Sequence, residues 1–370
     1  MPSSPYHQWL VELTNTPTAT GKEDRVIAWI TNYVKSHRNV VMKSDKYGNL
    51  VLSRKNVKPN DSPIYITAHM DHPAFVVHEI IDAKTLIAEF RGGVKPEYFN
   101  DAPVNLYHGD DEPVRGKCIK MLEDPDKHTD FADYKLARIA FSRKVNAHVG
   151  DILTWALPQA KITKGMLHAP AVDDLGGLAA AMAAFDSLAD CKEDVRLLFT
   201  RAEEMAFIGA IAACKAKTIE KKARLVCLET SKSFADSPIG AGPIVRVGDY
   251  TSTFDPDLTY RISKIAREME KEPETLNFQW QRKLMPGGTC EASAFGSYGF
   301  ISTCLCLPLG NYHNMNEDTQ TIKPEFISVA DFDGLVQLLV EVGKRLNNAQ
   351  QSPGLKPVLE DLFAKRKRVL

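Results

Sequence analysis

Apolar residues return at helical spacing over residues 22–37, where Val26, Ile27, Ile30 and Val34 fall on one face. Short β-type runs follow at 40–43 and 50–53 around a Gly48-Asn49 turn, and a compact one at 62–68 stops at His69-Met70-Asp71. From about residue 75 to 162 helical periodicity fades. β-like pieces at 85–90, 104–108, 114–121, 135–141 and 151–156 are spaced by Gly, Pro and Asp turns, the texture of a small β-barrel or sandwich. Beyond Gly165 strands (195–200, 225–228, 278–283, 301–307) alternate with helices (175–188, 205–217, 258–271, 326–346). An α/β pattern on both sides of a β-rich stretch predicts one α/β domain with a β insert. The expected limits are 1–74 and 165–350 for the two segments of the α/β domain, 75–164 for the insert and 351–370 for a tail.

Composition narrows the class without naming an activity. At 370 residues the chain allows one large domain or two. Its 46 Lys+Arg balance 47 Asp+Glu, so no concentrated basic excess marks a nucleic-acid surface. No apolar run approaches the ~20 residues of a membrane span, and Met1-Pro2-Ser3-Ser4 does not open like a signal peptide. The seven cysteines are scattered, with no CxxC pair, and read as reduced thiols of a cytoplasmic protein. Neither nucleic acid nor membrane is therefore an expected partner. The basic cluster at 364–368 reads as a solvated chain end or as a docking or localisation signal.

Candidate chemistry sits where predicted strands give way to loops, the usual site position in an open α/β sheet. Ala68-His69-Met70-Asp71 is either a polar strand end or a metal-binding imidazole whose second nitrogen the carboxylate fixes. In Val172-Asp173-Asp174-Leu175-Gly176-Gly177 an Asp can simply cap the next helix. Two glycines weaken that helix, however, which makes sense where the backbone must stay close to another element or to an ion. Thr200-Arg201-Ala202-Glu203-Glu204 carries two adjacent acids, readable as solvated helix-start residues or as a ligand and a general base facing different ways. His313 follows the strand at 301–307, and Glu229 ends the apolar run 225–228, where a carboxylate is costly unless paired or metal-bound. Each of those two also reads as ordinary loop polarity. The order is informative: two imidazoles and three carboxylates suit two Zn²⁺-like ions that share one carboxylate and a bridging water. His72 and His168 read as supporting or surface groups, and Cys290 as a small buried thiol.

At these residues the chain resembles the co-catalytic zinc metallopeptidases of clan MH, above all the tetrahedral (TET) aminopeptidase and glutamyl aminopeptidase family. The likeness runs from about residue 8 to 346. It includes His69-Met70-Asp71 with Pro73–Val77 after it, Gly150-Asp151-Ile152, Asp173-Asp174, and Glu203-Glu204 with Gly209-Ala210. Later signposts are Gly240–Pro243, Gly287-Gly288-Thr289, Pro308, His313 and Glu317. The resemblance implies a phosphorylase/hydrolase-like α/β fold, a mixed sheet flanked by helices with an inserted small β-barrel. It also implies an aminopeptidase of peptides or related small substrates, built as a homo-oligomer. Carried over, Asp173 bridges two divalent ions, zinc by preference, with cobalt and manganese as alternatives. His69 and Glu229 complete one ion, Glu204 and His313 the other; Asp71 orients His69, and Glu203 is the general base.

Several positions depart from the family pattern. Leu175 and Gly310 stand where arginines are usual, Met205-Ala206 displaces a glycine, Glu229 replaces the commoner Asp, and Gly-Thr-Asp-Ala becomes Gly288–Ala292 with Cys290-Glu291 inside. Glu229 is closer to a related carboxypeptidase or N-acyl amino acid deacylase, which is the alternative reading. A cationic pocket would favour that alternative, whereas an amine-binding carboxylate such as Glu291 would favour the aminopeptidase. A non-catalytic scaffold of the same fold is the remaining alternative, opposed by the full ligand set.

Overall fold

The computed structural model describes residues 5–109, 112–122, 135–273, 278–350 and 354–370. Helices α1 (Pro5–Thr14) and α2 (Asp24–Ser36) lead into strands β1 (Val40–Ser44), β2 (Leu50–Arg54) and β3 (Ile64–His69). A run of strands follows: β4 (Ala74–Asp82), β5 (Thr85–Arg91), β6 (Pro103–Tyr107), β7 (Val114–Met121), β8 (Lys135–Ala140) and β9 (Ile152–Trp155). After the short β10 (Lys161–Thr163) and β11 (Met166–Ala169) come α3 (Leu175–Ser187), β12 (Val195–Thr200), α4 (Ile208–Ala216), β13 (Arg224–Lys232) and β14 (Ile244–Gly248). The chain continues through α5 (Pro256–Met269), β15 (Gln281–Leu284), α6 (Glu291–Ser297), β16 (Ile301–Leu309), β17 (Met315–Asn316) and β18 (Thr321–Ile322). It closes with β19 (Glu325–Ser328), α7 (Val329–Arg345) and α8 (Lys356–Arg366).

An eight-stranded mixed sheet runs β1-β2-β12-β3-β13-β16-β14-β15. Its centre, β12, β3, β13 and β16, is parallel. These strands are unbroken apolar runs because both faces are covered. Ile64, Ile66, Leu197 and Val226 face the core built with α1, α2, α3, α5 and α7, whereas Tyr65, Leu198 and Cys227 join residues of α4 and α6. The ladder pairs Thr200 with His69 and Cys227 with Thr67, so the ends of β12 and β3 and the position of Glu229 lie at one level.

The β-rich stretch closes into a six-stranded barrel, β4-β5-β8-β7-β6-β9. Phe75, Phe90, Phe99 and Trp155 fill it, with ring centroids 4.8–5.8 Å apart in mostly edge-to-face contact. Of the two β architectures that the turn-rich texture allows, the barrel is the one formed.

Differences from the sequence-based elements have local causes. The helix expected over 326–346 begins at Val329, because Glu325–Ser328 pairs with β11 as a strand and Ser328 accepts from the Asp331 N–H. The helix expected from 205 begins at Ile208, since Ala206 and Phe207 take left-handed φ of 65° and 60°. Asp255 caps α5 by accepting from the Leu258 N–H at 2.7 Å, with Pro256 at its first turn. α1, β14 and α6 are too short or too mixed in pattern to read from periodicity. The tail at 351–370 includes α8, which buries no residue. No helix among the described residues is long and apolar enough to cross a membrane.

Gly209 lets α4 touch the turn that carries Glu203: a Cβ there would lie 2.0 Å from the Arg201 carbonyl oxygen and 2.6 Å from its nitrogen. Gly209→Ala should therefore destabilise the fold by about 1–3 kcal/mol, the usual range for overpacking. The check is the urea unfolding midpoint; an unchanged midpoint would show that this approach is not tight.

Candidate metal centre and active site

The site forms at the C-terminal ends of the central parallel strands, with one residue held in place from the barrel. His69 ends β3. Its Nδ1 lies 3.1 Å from the Asp71 carbonyl oxygen, which can only accept, so this nitrogen carries the proton and Nε2 presents its lone pair. Asp71 is fully buried, and its carboxylate accepts from the N–H groups of Glu203 (3.0 Å) and Glu204 (3.2 Å) and from the Thr20 hydroxyl (2.9 Å). One aspartate thus positions both the first histidine and the two-glutamate turn. His313 is treated alike: its Nδ1 donates to the Gly93 carbonyl, 2.7 Å away in the segment after β5, and Nε2 faces inward.

Between the two imidazoles stands Asp173. Its Oδ1 is 3.4 Å from His69 Nε2 and its Oδ2 3.5 Å from His313 Nε2. Glu204 Oε1 is 3.2 Å from His313 Nε2, and Glu203 Oε2 is 3.9 Å from His69 Nε2. Glu229 completes the cluster: it can bring an oxygen within 4.8 Å of donors from His69 and Glu203, and of donors from Asp173 and Asp174. The sequence-derived residues His69, Asp71, Asp173, Glu203, Glu204, Glu229 and His313 therefore lie together. A further three-donor group, His69, Asp173 and Glu204, shows that the two expected ligand sets interlock through Asp173.

Electrostatics push these groups apart. Burial first, then neighbouring carboxylates, raise Glu203 and Glu229 well above the ordinary range. Asp173 is also buried, yet its contacts with His313 and His69 hold it below that range. For both histidines burial disfavours the charged form, but the carboxylates outweigh it and the imidazoles are pushed well up. Asp173 Oδ1 is buried with no hydrogen-bond donor. Two imidazole nitrogens presented by fixed tautomers, several converging carboxylates and an orphaned carboxylate oxygen together fit a pair of divalent cations.

In the Asp-Asp-Leu-Gly-Gly turn the cap reading fails, and the close-packing reading of the glycines holds. Asp174 precedes α3 but makes no capping hydrogen bond, and both of its oxygens are buried without a donor. A Cβ on Gly177 would lie 2.2 Å from Asp174 Oδ1, so the glycine makes room for that carboxyl group. Beyond the expected residues, Glu325 ties the centre together. It accepts from the N–H groups of Val172 (2.6 Å), Asp173 (3.1 Å) and His313 (2.8 Å). Its sequence context, just before the helix expected over 326–346, gave no signal for this role. His72 is buried and donates from Nδ1 to the Asp173 carbonyl at 2.6 Å, a supporting group as expected; His168 lies on the surface against Phe326.

A cavity of about 300 Å³ opens beside Asp173, Glu203, Glu204, Glu229 and His313 and extends past Gly287-Gly288-Thr289 to Arg246. Arg246 is 2% exposed, donates from Nη1 to Ser231 at 3.1 Å, and forms no ion pair with a carboxylate among the described residues. Its Nε has no acceptor. Glu291 is buried at the start of α6 and does not line the cavity, so it is not placed to meet a substrate amine; burial pushes it up to about 7. Cys290 is likewise buried and outside the lining. Leu175 is packed in the core, and the Phe326 ring occupies the space a side chain at Gly310 would need.

An open mixed α/β sheet bearing a histidine–carboxylate cluster at its strand ends defines the class: a metal-assisted hydrolase. Residues 48–323 match the family model of the M42 glutamyl aminopeptidases, and the chain belongs to that family. It is a peptidase that depends on divalent metal. No curated protein matches the chain in sequence. Among solved structures, the TET1 peptidase of Pyrococcus horikoshii superposes with a TM-score of 0.73 at 20% identity, over 91% of this chain and 99% of that one. Aminopeptidase APDkam598 of the archaeon Desulfurococcus kamchatkensis gives 0.75 at 20% identity, over 92% and 95%. An M18-family aminopeptidase of Thermotoga maritima gives 0.66 at 13% identity, over 92% and 96%. At these identities the likeness establishes the fold.

Glu325→Ala should weaken metal retention about 10–100-fold, the usual effect of losing a group that orients ligands. Competition with a chelating dye, followed with the circular dichroism spectrum unchanged, measures this; wild-type retention would contradict the role given to Glu325.

Proposed function

We propose that the chain is a di-metal aminopeptidase that removes acidic residues from the N-terminus of peptides, with Glu203 carrying the proton. The observation that supports this reading most is the match of residues 48–323 to the M42 glutamyl aminopeptidases, and the cavity that runs from the acid–imidazole cluster to Arg246 has room and charge for an acidic side chain. His69, Asp173 and Glu229 would hold one ion, and Asp173, Glu204 and His313 the other, with zinc the first choice for nitrogen and oxygen donors. Such a pair, when bound, polarises an amide carbonyl and makes a water more acidic.

Glu203 is left outside both ligand sets and lines the cavity. Its carboxylate takes a proton from the attacking water and gives it to the departing nitrogen, so the C–N bond breaks with release of a neutral amine. Asp71 holds that carboxylate in place through the Glu203 and Glu204 N–H groups. At the far end, a buried guanidinium without an anionic partner is costly, and a Glu or Asp side chain of the substrate would supply one.

The same cation supports a second reading, a carboxypeptidase or N-acyl amino acid deacylase whose substrate carboxylate meets Arg246. Glu229, in place of the family's commoner Asp, points the same way. As for assembly, the Pyrococcus TET1 peptidase can assemble into a tetrahedron or a large octahedral shell. By that likeness we infer a homo-oligomer here, which light scattering tests.

Glu203→Gln should lower kcat roughly 10²–10⁴-fold on glutamyl-p-nitroanilide, with metal content unchanged. A wild-type rate would rule out Glu203 as the proton carrier. Arg246→Met should raise KM for that substrate about tenfold or more, and leave leucyl-p-nitroanilide unaffected. Cleavage of N-acetylglutamate or of C-terminal residues, with the free-amine glutamyl substrate untouched, would select the second reading.

A further inference from the structure

A second convergence of metal-ligating side chains lies on the barrel, away from the cavity just described. β6 and β9 are antiparallel neighbours, with Tyr107 paired to Ile152, so the residue leaving β6 meets the residue preceding β9. These are His108 and Asp151. His108 Nδ1 is 3.0 Å from Asp151 Oδ2 and 3.2 Å from Oδ1. His148, in the turn before Asp151, brings its own Nδ1 to 3.2 Å from His108 Nδ1 and 3.8 Å from Asp151 Oδ2. The two rings stack with centroids 4.3 Å apart and planes 22° apart, so a shared cation requires the exposed His148 ring to turn its Nδ1 lone pair toward His108 and Asp151.

Three donor atoms at these separations match a tetrahedral cation site. Metal–ligand bonds of about 2.0–2.1 Å at tetrahedral angles put ligand atoms about 3.3 Å apart, against the observed 3.0, 3.2 and 3.8 Å. The backbone fixes the arrangement beforehand. Asp151 Oδ2 accepts from the His148 N–H at 2.8 Å, the Asp151 N–H donates to the His148 carbonyl, and Val77 and Gly150 stitch the turn onto β4. The side chains of Asp151, His108 and His148 are 14%, 36% and 56% exposed, which leaves a coordination position open to water. Lys22, Asp24 and Arg25 line the shallow cleft beside them and keep the local charge near balance with Asp151.

We propose that His108, His148 and Asp151 form a divalent-metal site of the Zn²⁺ class, separate from the catalytic centre, that ties the end of β6 to the start of β9. Two imidazoles and one carboxylate select a zinc-like ion over calcium or magnesium, which require mostly oxygen ligands. The site has no part in peptide hydrolysis. It acts as a clasp on the barrel rim, and binding to the folded form alone stabilises that form.

The test uses the full chain, dialysed against buffered micromolar free Zn²⁺ and analysed by elemental mass spectrometry. Wild type should carry one zinc more per chain than His148→Ala or His108→Ala, and both variants should keep wild-type peptidase activity. The same comparison in a His69→Ala/His313→Ala background should still differ by one zinc, which isolates the barrel site from the catalytic one. Added Zn²⁺ should also raise Tm more in the wild type than in His148→Ala. Equal zinc counts and equal Tm shifts in correctly folded wild type and variants would overturn the proposal.

Discussion

The structure is organised around negative charge that is taken out of water. Asp71, Asp173, Asp174, Glu203, Glu229 and Glu291 are each no more than 8% exposed, and the imidazoles of His69 and His313 face into the cluster they form. Isolated buried carboxylates cost several kcal/mol each, and the usual escapes are protonation, hydrogen bonding or a cation. Asp71 uses hydrogen bonds from Glu203, Glu204 and Thr20. Asp173, whose Oδ1 lacks any donor, faces the two imidazoles instead, and the remaining geometry follows from holding it between His69 and His313.

The scaffold meets this requirement by register and by a few buried ties. Pairing of β12, β3 and β13 sets Thr200, His69 and Glu229 at one level, so the Glu203–Glu204 turn and the two strand ends face a common point. Left-handed backbone at Ala202, Ala206, Phe207, His313 and Asn314 then aims the turns inward. Non-glycine residues in that region cost of order 1–3 kcal/mol, and such conformations gather at functional sites. Glu325 and Gly93 fix the late histidine from two sides, one from the strand that precedes α7 and one from the barrel segment. The barrel is thereby part of the site's geometry and not an ornament beside it.

Much of this was legible in sequence because strand ends and odd residue pairs leave a local mark. His69 with Asp71, the Asp173-Asp174 pair before two glycines, and adjacent Glu203-Glu204 each stand out against the apolar runs that precede them. Glu325, Asn49 and Glu23 did not: Glu325 meets Val172 and Asp173, and Asn49 and Glu23 meet the turn at Arg201, each more than 150 residues away in sequence. Asn49 bridges Arg201 and Gly209, and Glu23 pairs with Arg201, so both support the turn that carries Glu203 and Glu204 through contacts only the fold creates. Arg246 belongs to the same group: nothing in the apolar strand around it signals that a guanidinium faces the cavity. The boundary between β19 and α7 was obscured for another reason, because an amphipathic helix continues the apolar rhythm of the strand before it.

The most direct measurement of the central claim is anomalous diffraction at the zinc edge from crystals of the full chain grown with zinc. Two anomalous peaks should flank Asp173, one on the His69 and Glu229 side and one on the Glu204 and His313 side. Absence of both peaks from well-ordered crystals, with these side chains in the arrangement described, would contradict a cation-neutralised centre.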